Sequence, residues 1–512
     1  MKSTPVVKTL QDISHNTSVT PKESDVEHYR ALLRTKPASF WEKAGAKKAL
    51  TLFHAAATQV PAYKKFLKAH KVDPAHIKTI ADFSKVPPTT KENYIKKYSL
   101  AERSWGGKLD GHSIVAVSSG TSGEPTLWPR GGNQEFEAVL THELLYTELF
   151  EIDRYRTLMI IGFPMGMYVS GVATSIPSFL AATKHPKLTI ATVGNNKEAV
   201  LKLVHSMHKE YEQIVLVSHP FFAKDVIETG AHEGISWRKT KIKTLFCSEG
   251  YNETWRDFLA SQIGSDPAST LFNTYGSSEF LLVGYENPYT TTIRQHAEKD
   301  AELSDTLFGT TVVPSLFQYN PLMRYIQTEG NDLVITANSG VPLIRFNQHD
   351  AGEVIPFEQM EETMGAHKKP LKNSHKNAFK PWQLPFVTLH GRSDRTLVFH
   401  AANIYPENIQ VALNKKEYLS KLTGKFVMEK KYLKKMDQYL EIHIELEPGV
   451  KATPTLSQSL QKDITATLEK VNMEYRDARQ RSHKDLTPRI DLRPYQDVTY
   501  FKPGLKPRYI AQ

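Results

Sequence analysis

Leu158-Met159-Ile160-Ile161, Leu188-Thr189-Ile190-Ala191-Thr192-Val193, Ile214-Val215-Leu216-Val217 and Ile242-Lys243-Thr244-Leu245-Phe246-Cys247 are short apolar runs in the middle of the chain. Segments with helical spacing alternate with them. Lys197–Tyr211 carries Val200, Leu203, Val204 and Met207 on one face, and Glu253–Ile263 carries Trp255, Phe258 and Leu259. Strands alternating with helices predict a largely parallel sheet covered by helices. Ligands of such sheets sit at the carboxyl ends of the strands.

Upstream, the β-prone run Ser113-Ile114-Val115-Ala116-Val117 leads into Ser118-Ser119-Gly120-Thr121-Ser122-Gly123-Glu124-Pro125-Thr126. Hydroxyls and glycines make this a loop of exposed donors, able to wrap an anion because glycine lets the backbone approach closely. Read alone it is equally a Ser/Gly turn. It is not a Walker A loop, because Glu124-Pro125 follow Gly123 where that pattern needs Lys-Ser/Thr.

The 512 residues exceed one ordinary domain, and 40% hydrophobic with 23% charged content is that of a soluble globular protein. A net charge of +10 suits anionic partners such as nucleotides or coenzyme phosphates. No Arg-rich arm, RNP-type motif or zinc-finger spacing favours nucleic acid, so no nucleic-acid partner is expected. The single cysteine, Cys247, excludes disulfides within the chain and Cys-rich metal sites, and its apolar flank reads as a buried thiol. Thr157–Thr183 carries no formal charge but includes Pro164 and Pro177. It reads as a buried strand, a loop and a core helix rather than a membrane span. Without an apolar signal-peptide core at the N-terminus, the expected setting is cytoplasmic, with no membrane partner.

Residues 1–25 read as a flexible tail and 26–105 as helical, with a break at Val86-Pro87-Pro88. The large domain is expected over 26–393. The lysine-rich interval 363–391 within it reads as a solvated loop. From 394 to 512 the pattern is that of a small α+β domain. It has a hairpin over Lys425–Lys431 and Tyr439–Leu446, a helix over Leu456–Arg476, and a basic tail ending Pro503-Gly504-Leu505-Lys506-Pro507-Arg508. The fold class is therefore α/β with mixed or parallel sheets flanked by helices, joined by a hinge to the small domain.

Further clusters carry polar chemistry. Asn273-Thr274-Tyr275-Gly276-Ser277-Ser278-Glu279 combines an aromatic face, hydroxyls and a carboxylate suited to a hard cation, and is also a plain polar turn. Arg345-Phe346-Asn347-Gln348-His349-Asp350 offers a carboxylate for ribose hydroxyls, or an Asx turn. Gly391-Arg392-Ser393-Asp394 is a surface turn, or an anion contact followed by a hinge. Lys506 is a solvated tail residue, or a cation that stabilises a transferring phosphoryl group.

The order of these clusters resembles the adenylate-forming superfamily of acyl-CoA synthetases and adenylation domains. Val60-Pro61-Ala62-Tyr63, Phe83-Ser84-Lys85-Val86-Pro87-Pro88-Thr89-Thr90-Lys91 and Asn403-Ile404-Tyr405-Pro406-Glu407 make it most similar to the phenylacetate–CoA ligase family, over about residues 28–510. The resemblance implies a ligase that turns a small carboxylic acid and ATP into acyl-AMP, then transfers the acyl group to coenzyme A. It implies that Ser119, Gly120, Thr121, Ser122 and Gly123 embrace the triphosphate. Tyr275 and Gly276 would receive adenine, with Glu249 also at the nucleotide. Ser278 would contact a phosphate and Glu279 would hold Mg2+. Asp350 would bind ribose with Arg392 nearby, Asp394 would be the hinge, and Lys506 would serve adenylation. Phe163, Met165, Met167, Tyr168 and His219 would line the acyl pocket, although the apolar members read equally as core. A homodimer is the assembly it suggests.

The chain departs from the superfamily pattern at several places. Glu124 and Thr126 stand where relatives often carry Lys, Leu505 separates Gly504 from Lys506, and Gln348-His349 replace Thr-Gly before Asp350. These departures leave open an adenylating enzyme that serves a carrier protein or an amine, and a non-catalytic nucleotide-binding regulator.

Overall fold

The apolar runs become neighbouring strands of one sheet. In the computed structural model, which describes residues 23–118, 126–166, 169–369, 381–393, 396–482, 484–501 and 509–510, Leu188–Ala191, Thr157–Ile161, Gln213–Ser218, Ile242–Cys247 and Leu271–Ser277 lie side by side in that order. All five are parallel. Every residue of Thr157–Ile161 and Gln213–Ser218 is buried, which is why these runs are apolar without alternation. The charge-free stretch from Thr157 divides into that strand and the helix Val169–Lys184. Among the described residues no helix is long and apolar enough to cross a membrane.

The sheet is mixed. Beyond Leu271–Ser277 it continues through Leu281–Tyr285, Ser315–Gln318, Phe386–Leu389 and Val354–Ile355, all antiparallel to their neighbours. The run Ile114–Val117 does not join it. It lies in His112–Ser118, which pairs with Thr126–Gly131 in a separate two-stranded sheet. Val115 faces solvent there, consistent with a strand covered on one face only.

A second sheet carries Tyr325–Glu329, Asp332–Ala337 and Leu343–Ala351 as an antiparallel meander. Its apolar face, with Ile326, Leu333, Ile335, Leu343 and Phe346, shares a core with the helices Ala38–Gln59 and Pro61–Ala69. The Pro87-Pro88 break lets the chain run extended onto this sheet. The Thr89 amide donates to the Arg345 carbonyl (3.1 Å), and the Asn347 amide donates to the Thr89 carbonyl (2.8 Å). Thr90 then caps a short turn with Asn93, which fixes Lys91 at its start.

The described chain falls into two compact units with a boundary between His390 and Gly391. In the second, Leu422–Tyr432 and Gln438–Leu446 form a hairpin, and Arg489–Arg493 adds a parallel third strand. Phe426, Met428, Leu440, Ile442 and Ile444 pack on Leu460, Ile464 and Leu468. The helix expected over Leu456–Arg476 is two, Pro454–Val471 and Met473–Arg481. Asn472 breaks it by accepting the Tyr475 amide (2.9 Å) and donating to the Asn403 carbonyl (2.7 Å). On the other sheet face His443 meets Asp491 through Nδ1 (2.7 Å) and Glu429 through Nε2 (2.8 Å). Glu429, Glu441 and His443 have the composition of a metal site, but both ring nitrogens of His443 are already engaged by carboxylates, and the Lys431 ammonium lies 3.1 and 2.5 Å from Glu429 and Glu441.

Gly340 illustrates how tightly the large unit is packed. A Cβ on it would lie 2.0 Å from the Pro129 carbonyl oxygen, whereas one on Gly365 meets nothing within 4 Å. Gly340→Ala is expected to destabilise the protein by about 1–3 kcal/mol through overpacking. Gly365→Ala, in the helix Phe357–Ala366, is expected to stabilise it by about 0.5–1 kcal/mol. Urea denaturation midpoints measure both, and equal midpoints for the two variants would contradict the close approach.

Candidate functional site

Four adjacent parallel strands end on the same edge, and each delivers a sequence-predicted residue. Phe163 and Met165 follow Thr157–Ile161, His219 follows Gln213–Ser218, Glu249 follows Ile242–Cys247, and Tyr275 to Ser277 close Leu271–Ser277. This is the edge where a parallel sheet receives ligands.

The geometry of these strand ends is set locally. Ser248, with φ +77°, turns the chain after Cys247, and the Asn273 side chain donates to the Glu249 carbonyl (3.1 Å). His219 starts the helix Pro220–His232. Its ring lies edge-on to Phe163 at 5.2 Å, and its Nδ1 is 3.3 Å from the Cys247 carbonyl. Burial pushes the His219 imidazole below its ordinary value, opposed by the nearby Glu249 carboxylate and the Cys247 carbonyl. A neutral, aromatic-packed imidazole suits a pocket wall better than a charged contact. Met165 is half-buried beside the same core as Phe163. Burial also raises the Cys247 thiol, consistent with an unreactive cysteine.

Tyr275 and Asp350 come together from different sheets. The Tyr275 hydroxyl donates to Asp350 Oδ2. Gln348 Nε2 donates to both, at 2.9 Å to the tyrosine oxygen and 2.6 Å to the carboxylate. Phe317 backs the Tyr275 ring with 5.9 Å between centroids. Gly276 sits at a register shift in the ladder with Leu281–Tyr285, where a Cβ would lie 2.9 Å from the Leu281 carbonyl oxygen. Ser278 and Glu279 occupy the turn before Leu281, which itself has φ +58°.

Glu279 is 5% exposed, and the Lys91 ammonium lies 2.9 Å from its carboxylate. Burial by itself would raise this carboxyl. The Lys91 charge and hydrogen bond outweigh burial and hold it below the ordinary carboxylate value. Lys91 also lies 5.8 Å from the Trp128 ring centroid. An ionised carboxylate of this kind is a hard oxygen donor, and Mg2+ is commonly held by one or two carboxylates together with substrate phosphates. The residues present therefore fit the cation.

No protein-family model matches the chain. The phenylacetate-coenzyme A ligase of Aromatoleum evansii is 21% identical over 414 residues, covering 79% of this chain and 82% of that protein. A 2-hydroxyisobutyryl-CoA ligase, solved with its acyl-AMP and CoA in the thioesterification state, matches with a TM-score of 0.62 and 15% identity over 97% of this chain and 94% of that one. The same ligase in a postadenylation state with an acyl-AMP matches with a TM-score of 0.55, 14% identity and coverage of 97% and 95%. The chain has the adenylate-forming ligase fold. In sequence the chain is similar to that phenylacetate-coenzyme A ligase, the family its motifs resemble.

In this adenylate-forming fold the expected residues divide into three groups. Tyr275, Gly276, Ser278, Glu279, Asp350, Glu249, Phe163, Met165 and His219 all lie in the large unit, and Tyr275 and Asp350 touch. Arg392 lies in the second unit, on the short strand Gly391–Arg392. Ser119, Gly120, Thr121, Ser122, Gly123, Met167, Tyr168, Asp394 and Lys506 lie outside the described residues, as do 370–380 of the basic interval; the rest of 363–391 is not the solvated loop expected, because it ends the helix Phe357–Ala366, buries Trp382 and Leu384 and supplies the sheet strand Phe386–Leu389. Sequence reasoning missed Lys91 and Gln348 as functional groups. Lys91 closes the segment quoted for family resemblance, so that resemblance was the only available signal.

The Lys91–Glu279 pair gives a pH-dependent prediction. The folded-state carboxyl lies below its unfolded value. Its contribution is therefore present above an unfolded carboxylate pKa of about 4.3 and is lost as pH falls through the folded value. Lys91→Met is expected to cost about 1.5–3 kcal/mol near neutral pH and progressively less below about pH 4. Denaturant midpoints across pH test this, and a cost independent of pH would contradict it.

Proposed function

We propose that this protein activates a small carboxylic acid with ATP and transfers the acyl group to coenzyme A. The observation that carries the reading is the Tyr275–Asp350 contact, with Glu279 on the turn that follows Tyr275, at the carboxyl edge of the sheet. In the first half-reaction a carboxylate oxygen of the acid bonds to the α-phosphorus of ATP and pyrophosphate leaves. In the second, the thiol sulfur of coenzyme A bonds to the acyl carbon, loses its proton, and AMP leaves.

The residue roles follow from chemistry and motif position. Tyr275 and Gly276 form the adenine face, with Glu249 at the neighbouring strand end, and Asp350 accepts from the ribose hydroxyls. The donors of Ser119, Gly120, Thr121, Ser122 and Gly123 surround the triphosphate, and Ser278 contacts a phosphate. Glu279 would hold Mg2+, which supplies charge neutralisation for the phosphates when bound. Lys91 keeps that carboxylate anionic despite its burial. By motif position Arg392 would serve the ribose and Lys506 adenylation, with Asp394 as the pivot between half-reactions. The acyl group lies toward Phe163, Met165, Tyr168 and His219, a largely aromatic and apolar set suited to an aryl or acyl carboxylate. A cytoplasmic setting and a homodimer belong to the same reading. The shifted Lys506 favours a second reading, in which a carrier protein or an amine replaces coenzyme A.

A pyrophosphate-release screen over aryl, short-chain, fatty and amino acids, with and without coenzyme A, tests the reading. The expected outcome is release that depends on one class of acid, and a thioester only when coenzyme A is present. Acid-dependent release without thioester would shift the acceptor to a carrier protein or amine, and no release with any acid would overturn adenylation. Asp394→Pro is expected to impair one half-reaction more than the other, measured as pyrophosphate release against thioester formation from isolated acyl-AMP. Equal loss of both would remove Asp394 as the pivot.

A further inference from the structure

Arg324 is a buried charged group beside the Glu279 turn that the roles above leave unused. It is 4% exposed, and its guanidinium is fully engaged. Nε and Nη2 donate to the Phe280 carbonyl at 3.1 and 2.6 Å. Nη1 donates to the Glu137 carboxylate at 2.6 Å and to the Met323 carbonyl at 2.8 Å. Phe280 is the residue directly after Glu279. Glu137 lies on the helix Gly132–Leu149, three positions from Gln134 and hence on the same face. Gln134 reaches the Glu279 carbonyl at 3.5 Å while accepting the Gly340 amide at 3.1 Å. Two consecutive carbonyls of one short turn are thus gripped by side chains from outside it. Lys48 completes the cluster, 3.7 Å from the far oxygen of Glu137.

A buried arginine is a costly way to hold a turn that a neutral donor could satisfy. The planar fork supplies what a lysine cannot: two donors on one carbonyl and a third on a carboxylate, all in fixed orientation. We infer that Arg324, anchored by Glu137, is a positioning residue that fixes the Ser278–Phe280 turn so that the Glu279 carboxylate is held ready for the cation of a metal–nucleotide complex. This rests on the reading of Glu279 as the carboxylate that holds Mg2+.

The test is calorimetric titration of the full-length protein with Mg-ATP and, in parallel, with ATP in excess EDTA. The proteins are the wild type, Arg324→Lys, Glu137→Gln and Glu279→Gln, each with its thermal midpoint recorded. Arg324→Lys keeps the charge and loses the fork. It is expected to weaken Mg-ATP binding about 10-fold, as loss of an outer partner of a metal ligand does, while metal-free ATP binding stays close to wild type. Glu137→Gln should give a smaller loss of the same selective kind, and it decides the matter if Arg324→Lys folds poorly. A merely structural role would weaken both titrations equally, and that result, or no change in either, overturns the inference. Glu279→Gln separates the two levels. If it abolishes the advantage of Mg-ATP over ATP while Arg324→Lys and Glu137→Gln do not reduce it, the inference fails alone. If it leaves that advantage intact, the reading of Glu279 fails and the inference with it.

Discussion

The Tyr275 hydroxyl donated to Asp350 is the contact that makes one site out of two sheets. Tyr275 stands at the end of the last parallel strand, and Asp350 stands near the end of the last strand of the antiparallel meander. Neither could be positioned by its own sheet alone. Gln348 donates to both oxygens from the strand that carries Asp350. The docking of Thr89 between Arg345 and Asn347 holds that strand from the other side. The same docking brings Lys91 to Glu279, so one stretch of extended chain before a capped turn serves the second sheet and the acidic turn together.

Beneath this edge the large unit buries several charged clusters. Glu286 receives Arg256 at 2.6 and 3.0 Å and Arg294 at 2.9 Å, and accepts the Asn273 amide at 2.7 Å. Arg256 also donates to the Leu271 carbonyl, and Arg294 to the Tyr251 carbonyl at 2.7 Å. These bonds tie the loop after one parallel strand to the body of the next. Buried ion clusters of this type contribute little net stability compared with well-packed apolar groups. Their directional bonds instead fix where backbone atoms lie, here those of Leu271 and Asn273 in one strand and of Tyr251 in the loop after its neighbour.

How much of this was legible in the sequence follows from burial and sequence distance. The parallel strands were readable because burial on both faces leaves uninterrupted Val, Ile and Leu runs, with helices of clear periodicity between them. The antiparallel extension and the meander were not. Leu343–Ala351 has register shifts and two residues, Arg345 and His349, at positive φ, and its inward positions at the site are the polar Gln348 and Asp350, so no apolar alternation marks it. Asn472 reads as an ordinary helix residue until its side chain is seen capping the following helix. The site residues were found through the order of their motifs, whereas their partners were not. Gln348 and Lys91 act on residues 73 and 188 positions away in sequence, and no local pattern encodes contacts of that range.

Glu124 and Thr126, on the loop proposed to surround the triphosphate, stand where the family pattern often has lysine. An anion-binding edge needs positive charge, and helix ends or backbone amides supply only partial charges. Lys91 is a full charge that the motif order does not include, and it is already fixed 2.9 Å from the Glu279 carboxylate, within the large unit. That pairing has two consequences. The carboxylate stays ionised despite burial, which a cation ligand requires. The ammonium is held by one strong acceptor rather than left to solvent, so its position is set before any ligand arrives. The acidic turn thus already holds a full positive charge, brought to it from 188 positions upstream in the sequence.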